Sequence, residues 1–195
     1  MRYGSTEKLD KVALIAKKLG YRIMCVEGLS KSLLLSDVLF IPRKTSSDIN
    51  ELLKIKRNTL KVYLINSPSD LKSYPRLRGV AALVCLSCKA LNVLTPKHVG
   101  RLVALGLPIE VAIRDIYKAL KERGYLRGLD HLISTVESGK VELIACSGAS
   151  KHLELLHPKV IISTLIELGV DEVNALKAVT SAPAKVIRGL EYGAR

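Results

Sequence analysis

The sequence predicts an α/β fold, a parallel sheet whose strands are joined by helices and which is closed by a helical segment at the C-terminus. Three features predict it. Short apolar runs recur along the chain, and most are followed by a stretch with apolar residues at 3- and 4-residue steps. The runs are far enough apart for the crossover of about a dozen residues that parallel neighbours require. Beyond Cys146 no strong strand pattern remains.

Taken in order, Ser5 or Thr6 can cap a helix whose apolar positions are Leu9, Val12, Ala13, Ala16 and Leu19, with Gly20 as its stop. Strand-like runs follow at Tyr21 to Val26, Val38 to Ile41, Lys61 to Ile65, Val80 to Leu86, Leu107 to Ile113 and Val141 to Cys146. Helical patterns fall between them at Ser47 to Arg57, Pro96 to Leu105, Arg114 to Glu122 and Leu126 to Val136. The last third carries three consecutive helical segments, Pro158 to Leu168, Asp171 to Val179 and Pro183 to Leu190. Pro158 and Pro183 sit where helices begin, and Asp171 is placed as an N-cap. No internal repeat, low-complexity tract or Pro/Ser-rich linker interrupts the chain, so residues 1–195 are expected to form one domain.

The longest apolar runs, Gly79 to Leu86 and Val160 to Ile166, fall short of the roughly 20 residues that cross a bilayer. Met1 to Lys8 is charged and lacks the apolar core of a signal peptide. A cytoplasmic protein with no membrane partner is expected. Lys and Arg number 31 against 18 Asp and Glu, a formal charge of +13, which points to a polyanionic partner. The excess is uneven: residues 1–101 hold 19 basic and 7 acidic side chains, and residues 102–195 hold 12 and 11. Aromatic residues make up only 4%, with no Trp and one Phe, so an aromatic stacking platform for single strands is not expected and backbone recognition of folded RNA fits better. Charge density singles out Arg43, Lys44, Arg76, Arg78, Lys97, His98 and Arg101 as candidate phosphate contacts.

Cys85-Leu86-Ser87-Cys88 is the one Cys-x-x-Cys. A redox pair needs its first thiol at a helix N-terminus, whereas Cys85 ends an apolar strand and Lys89 to Val93 shows no helical pattern. Cys25 and Cys146 stand alone in strand-like runs, so these cysteines are read as small buried apolar residues. His98, His131, His152 and His157 form no metal-binding spacing, and neither a metal site nor a catalytic residue is expected. Val141 to Lys151 runs from a strand into a small-residue turn. Two readings stand for Ser147, Gly148, Ser150 and Lys151: a cradle for a phosphate, or a tight turn that needs its glycine.

From Leu143 to Gly189 the chain carries, in order, Ser147-Gly148-Ala149 after a strand, His157-Pro158-Lys159, Leu165-Ile166-Glu167-Leu168-Gly169-Val170 and Ala175-Leu176-Lys177-Ala178-Val179-Thr180. This succession resembles the C-terminal signature of the ribonuclease P protein component 3 family, the archaeal counterpart of a subunit of eukaryotic RNase P and RNase MRP. Weaker agreement extends upstream through Leu60 to Ile65, Gly79 to Val84 and Ile113-Arg114.

The resemblance implies a TIM-barrel-like fold related to the PHP phosphoesterases but lacking their metal ligands. The short N-terminus reduces the first barrel strand to Met1 to Tyr3 or removes it, so an incomplete TIM-like (βα) barrel of about six or seven parallel strands with extra C-terminal helices is expected. It further implies a non-catalytic subunit that binds no cofactor itself. The partner RNase P RNA, with Mg²⁺, removes 5′ leaders from precursor tRNA, which the protein meets only indirectly. Protein component 2 and the other RNase P protein subunits are the implied protein partners. Arg114 and Lys159 enter the RNA-facing set through the family pattern, Lys159 standing where Arg is usual and so keeping the charge without the bidentate fork. The alternative from another class is a PHP-type metal-dependent phosphoesterase, against which the missing histidine pairs weigh.

Overall fold

A computed structural model describes residues 6–123 and 126–192. The candidate cap Ser5 and the candidate first strand Met1 to Tyr3 lie outside the described residues. Helix α1 (Thr6–Lys18) leads into β1 (Ile23–Glu27), then β2 (Leu33–Leu35), β3 (Val38–Ser46), α2 (Ile49–Leu53), β4 (Leu60–Ile65), a 3-10 segment over Pro68–Leu77, and β5 (Leu83–Leu86). Next come α3 (Cys88–Val93), α4 (Pro96–Leu105), β6 (Ile109–Ala112), α5 (Ile113–Arg123), α6 (Arg127–Glu137) and β7 (Leu143–Cys146). A short 3-10 turn at His152–Glu154 precedes α7 (Pro158–Glu167), α8 (Glu172–Val179) and α9 (Ser181–Tyr192).

The strands form one sheet in the order β1-β3-β4-β5-β6-β7, each parallel to the last, with β2 antiparallel to the first half of β3. The order never reverses, so the sheet winds in one direction, as a barrel does. Its curl is visible in a single contact. Across two intervening strands, the inward side chains of Arg43 on β3 and Glu110 on β6 meet at 2.8 Å. The expected architecture is present: an α/β chain built on a half-barrel of six parallel strands, with extra helices at the C-terminus.

Alternation along the strands divides the core. Tyr63, Ile65, Val84, Leu86, Ile109, Val111, Leu143 and Ala145 face outward into the large cluster shared with the helices. Leu60, Val62, Leu83, Cys85 and Ile144 face inward and meet Ala182, with Val186 and Leu190 of α9 beside them. Both faces are apolar, as parallel strands covered on two sides require. Each fully buried Leu or Ile contributes about 1.5–3 kcal/mol, so α9 stabilises the concave face by covering side chains that an open half-barrel would leave wet. A third cluster joins α1 to Val26, Val38 and Phe40, with Leu155 packed against it. The Tyr21 hydroxyl donates to the Leu156 carbonyl at 2.7 Å, fastening the segment after β7 to the first strand's side of the sheet.

Four elements differ from expectation. The β2–β3 hairpin turns through Ser36 and Asp37, both left-handed at φ 49° and 64°, the conformation of a two-residue type I′ turn without its usual Asn-Gly. β3 continues to Ser46, carrying Arg43 and Lys44 within a strand. The 3-10 segment has no counterpart among the expected elements; Asp70 holds its start by accepting from the Asn66 and Ser67 N–H groups at 2.8 and 2.9 Å. Lys89 to Val93 is helical after all, because Ser87 N-caps α3 by accepting from Ala90 N.

Helix α6 approaches α3 through Gly128, where a Cβ would come 2.5 Å from the Leu91 carbonyl oxygen and 2.9 Å from Leu94 Cβ. Gly128→Ala should therefore destabilise the chain by about 2–3 kcal/mol. Gly100→Ala, on α4 with open space around it, should be neutral or stabilising by up to about 1 kcal/mol. Chemical denaturation of the two variants checks the packing of α6 on α3.

Candidate functional site

The concave side of the half-barrel holds a buried ion pair. Arg43 projects inward from β3, its Nη1 2.8 Å from the Glu110 carboxylate on β6, its Nε donating to Thr45 Oγ1 at 3.0 Å and lying 3.8 Å from Glu27 at the end of β1. The side chains of Arg43 and Glu110 are 14% and 4% exposed. Burial, the largest single influence, would lower the Arg43 pKa, but the Glu110 carboxylate together with Cys146 and Cys85 outweighs it and holds the guanidinium above its ordinary value. Around the pair sit three thiols. Cys146 Sγ donates to Glu110 at 3.3 Å, and burial pushes Cys25 up to about 11, with Arg43 opposing and Glu110 reinforcing the rise. Cys85 and Cys146 are raised for the same first reason. Cys88, outside the barrel near the Glu122 carboxylate, is raised as well. These are poor nucleophiles, consistent with packing rather than redox chemistry. Arg43 was expected to meet a phosphate; its place is the barrel interior, where Glu110 already matches its charge.

At the ends of β6 and β7, Gly148 has φ +69°, and a Cβ there would lie 2.8 Å from Ala112 Cβ, so the turn needs its glycine. Several donors of the turn are engaged by Glu154. Its carboxylate accepts from Ser150 N at 2.7 Å, Ser150 Oγ at 2.8 Å, Lys151 N at 3.2 Å and Arg114 Nη1 at 2.9 Å. The Ser150 groups, then Lys151 and Arg114, hold the Glu154 carboxyl below the usual carboxylate range. Arg114 also reaches Ser150 Oγ. Ser147 Oγ accepts from Ala149 N. Of the candidate cradle Ser147, Gly148, Ser150 and Lys151, the Ser150 and Lys151 N–H groups hold the chain's own Glu154 carboxylate, and Gly148 serves the backbone of the turn. Lys151 followed three residues later by Glu154 has capping-box spacing, the signal that could have revealed it.

The other expected contacts divide by what their polar groups already do. Lys44 pairs with Glu51 at 2.5 Å, and Lys44 with Ser46 holds that carboxyl below its ordinary range. Arg78 donates to the Ala104 and Leu105 carbonyls at 2.6 and 3.1 Å, capping the C-terminus of α4. His98 turns back on its own helix start, Nδ1 accepting from Thr95 N at 3.2 Å. Arg76, Lys97 and Lys159 are exposed and Arg101 is half-buried, none of them in an ion pair among the described residues. Between Arg43 and Arg101 the chain has 12 basic and 3 acidic residues, and all three acids are engaged internally. Asp48 caps α2, Glu51 binds Lys44 and Ser46, and Asp70 caps the 3-10 segment. Only Arg43 and Lys44 of the twelve are ion-paired among the described residues. The surface of this stretch therefore carries a large excess of cations, most of them outside any ion pair among the described residues.

Among the described residues no group of three or more His, Cys, Asp or Glu side chains is placed to hold a metal ion. None of the described helices is long and apolar enough to cross a membrane.

No family model matches the sequence, and no curated protein does. Among solved structures, the chain is similar over 100% of its length to 91% of a chain in the cryo-EM structure of archaeal ribonuclease P with mature tRNA, with a TM-score of 0.54 and 12% identity. The likeness is one of fold.

Removing Glu110 leaves a buried cation without its partner, so Glu110→Leu should destabilise the protein by about 3–5 kcal/mol. Combining it with Arg43→Met should restore most of that stability, because an apolar pair of similar volume carries no desolvation penalty. Equilibrium unfolding in denaturant reads both; a double variant as unstable as the single one would show that the pair holds the barrel by more than charge balance.

Proposed function

We propose that this chain is a non-catalytic protein subunit of ribonuclease P, in the position of protein component 3, which binds and stabilises the RNA that removes 5′ leaders from precursor tRNA. The observation that carries the reading is the unneutralised cation surface between Arg43 and Arg101, on a fold similar over the whole chain to one found in archaeal ribonuclease P. The mechanism is electrostatic. Lys and Arg side chains neutralise phosphates and release their condensed counterions, so RNA helices that repel one another pack with less Mg²⁺. Mg²⁺ belongs to the RNA in this account, and protein component 2 and the other subunits complete the particle.

The set of RNA-facing side chains follows from which charges are unengaged. Arg76, Lys97, Arg101 and Lys159 are offered to phosphate, while Arg43 and Arg78 serve the fold. Lys44 and Arg114 each share their charge with one carboxylate. They reach RNA only as part of a pair, with correspondingly less net attraction.

The triple variant Arg76→Gln, Lys97→Gln, Arg101→Gln should bind an archaeal RNase P RNA transcript more weakly. The slope of log affinity against log salt should flatten by up to about 0.9 for each phosphate that is no longer neutralised. Neutralising Lys121, Arg127 and Lys140 in the near-neutral half should change the slope much less. Equal weakening in both variants at matched stability would mean that the basic stretch is not the RNA-facing surface.

A further inference from the structure

Between α2 and the 3-10 segment runs a groove of about 490 Å³, lined by Ser47, Asp48, Ile49, Asn50, Leu53, Tyr63, Arg76 and Val80. Its volume lies within the roughly 300–1,000 Å³ that holds small ligands. One wall is apolar. Leu53 is 58% exposed, Ile49 and Val80 lie beside it, and Tyr63 is buried with its hydroxyl turned to the Asp70 carbonyl at 3.2 Å. The rest is polar and unengaged: the Ser47 hydroxyl, the Asn50 side-chain amide and the Arg76 guanidinium make no hydrogen bond to the protein among the described residues, whereas Asp48 spends one oxygen on Asn50 N.

An apolar wall, an amide with both donor and acceptor unspent, and a free guanidinium match the three parts of a nucleotide. A base covers Leu53, Ile49 and Val80 with its face and meets Asn50 and Ser47 with its edge. Its phosphate sits on Arg76 and not at the Asp48 carboxylate, which would repel it and can instead accept from a base N–H. The surroundings supply the charge complementarity. Lys54, Lys56 and Arg57 follow Leu53 in the chain and make no ion pair among the described residues. A duplex would present only phosphates here and leave the apolar wall unused, whereas unpaired nucleotides can splay a base into a pocket.

Resting on the reading that the chain binds RNA, we propose that this groove takes one unpaired nucleotide of that RNA, adding to the salt-dependent phosphate contact at Arg76 a base contact that recognises single-stranded RNA. Aromatic stacking is not needed, so the scarcity of aromatic residues is no obstacle.

The test uses the full chain, an archaeal RNase P RNA transcript, a short single-stranded oligoribonucleotide and an RNA duplex. The variant Asn50→Ala with Leu53→Ala leaves every charge in place. It should bind the transcript and the single strand about five- to tenfold more weakly, with the salt slope unchanged and duplex binding intact. Unaltered single-strand affinity in a variant shown to be folded, or an equal weakening on the duplex, would overturn the groove while leaving the RNA-binding reading standing. A wild-type chain that binds no RNA overturns both. Should the variant fail to fold, photocrosslinking of the wild-type chain to 4-thiouridine-substituted transcript decides: adducts within 47–53 or 76–80 support the groove, and adducts confined elsewhere refute it.

Discussion

The Arg43–Glu110 pair is the contact on which the rest of the structure turns, because it joins β3 to β6 across two intervening strands in the barrel interior. A carboxylate 4% exposed and a guanidinium 14% exposed are expensive to desolvate, and each is tolerable only while the other is present. While the sheet is curled, neither can be removed alone without leaving the other buried and unmatched. Glu27 at 3.8 Å adds a second carboxylate from the first strand's side, so one guanidinium draws β1, β3 and β6 together. The same pocket explains the thiols. Cys25, Cys85 and Cys146 are held protonated by burial and by the Glu110 charge, with Arg43 opposing.

With the interior satisfied, the surface charge acquires its meaning. Fold-supporting roles absorb Arg43, Arg78 and the acids Asp48, Glu51 and Asp70. What remains between Arg43 and Arg101 is almost wholly positive. The near-neutral C-terminal half spends its charges differently: Glu154 fills its own turn, Arg114 meets Glu154, and Lys185 meets Glu142. The C-terminal half nearly balances its charges in number, 12 basic against 11 acidic over residues 102–195, and the N-terminal half carries the excess.

Much of the fold was legible because its elements obey local rules. Pro96 at the start of α4, Pro158 at the start of α7 and Asp171 capping α8 are written in short spacings, and strands buried on both faces read as unbroken apolar runs. The misses have physical causes. Ser36-Asp37 turns a hairpin without glycine, and α3 has only six residues, too few for a period to show. Arg43 looked like surface charge because its partner is 67 residues away; no spacing rule connects the two, only the closure of the sheet. Arg78 misled for the same reason, since the carbonyls it caps at the end of α4 lie 26 and 27 residues later. Charge density along a chain thus located the basic stretch but could not separate the side chains that hold the fold from those left for a partner.

The central claim is that the chain assists an RNA catalyst without supplying catalytic groups. Its most direct test is reconstitution of archaeal RNase P from its RNA and remaining protein subunits, with and without this chain, following 5′-leader removal from precursor tRNA as Mg²⁺ is titrated. The account predicts that adding the chain lowers the Mg²⁺ needed for cleavage, and that the chain without the RNA cleaves nothing. An unchanged Mg²⁺ requirement, or cleavage by the chain in the absence of RNA, would contradict it.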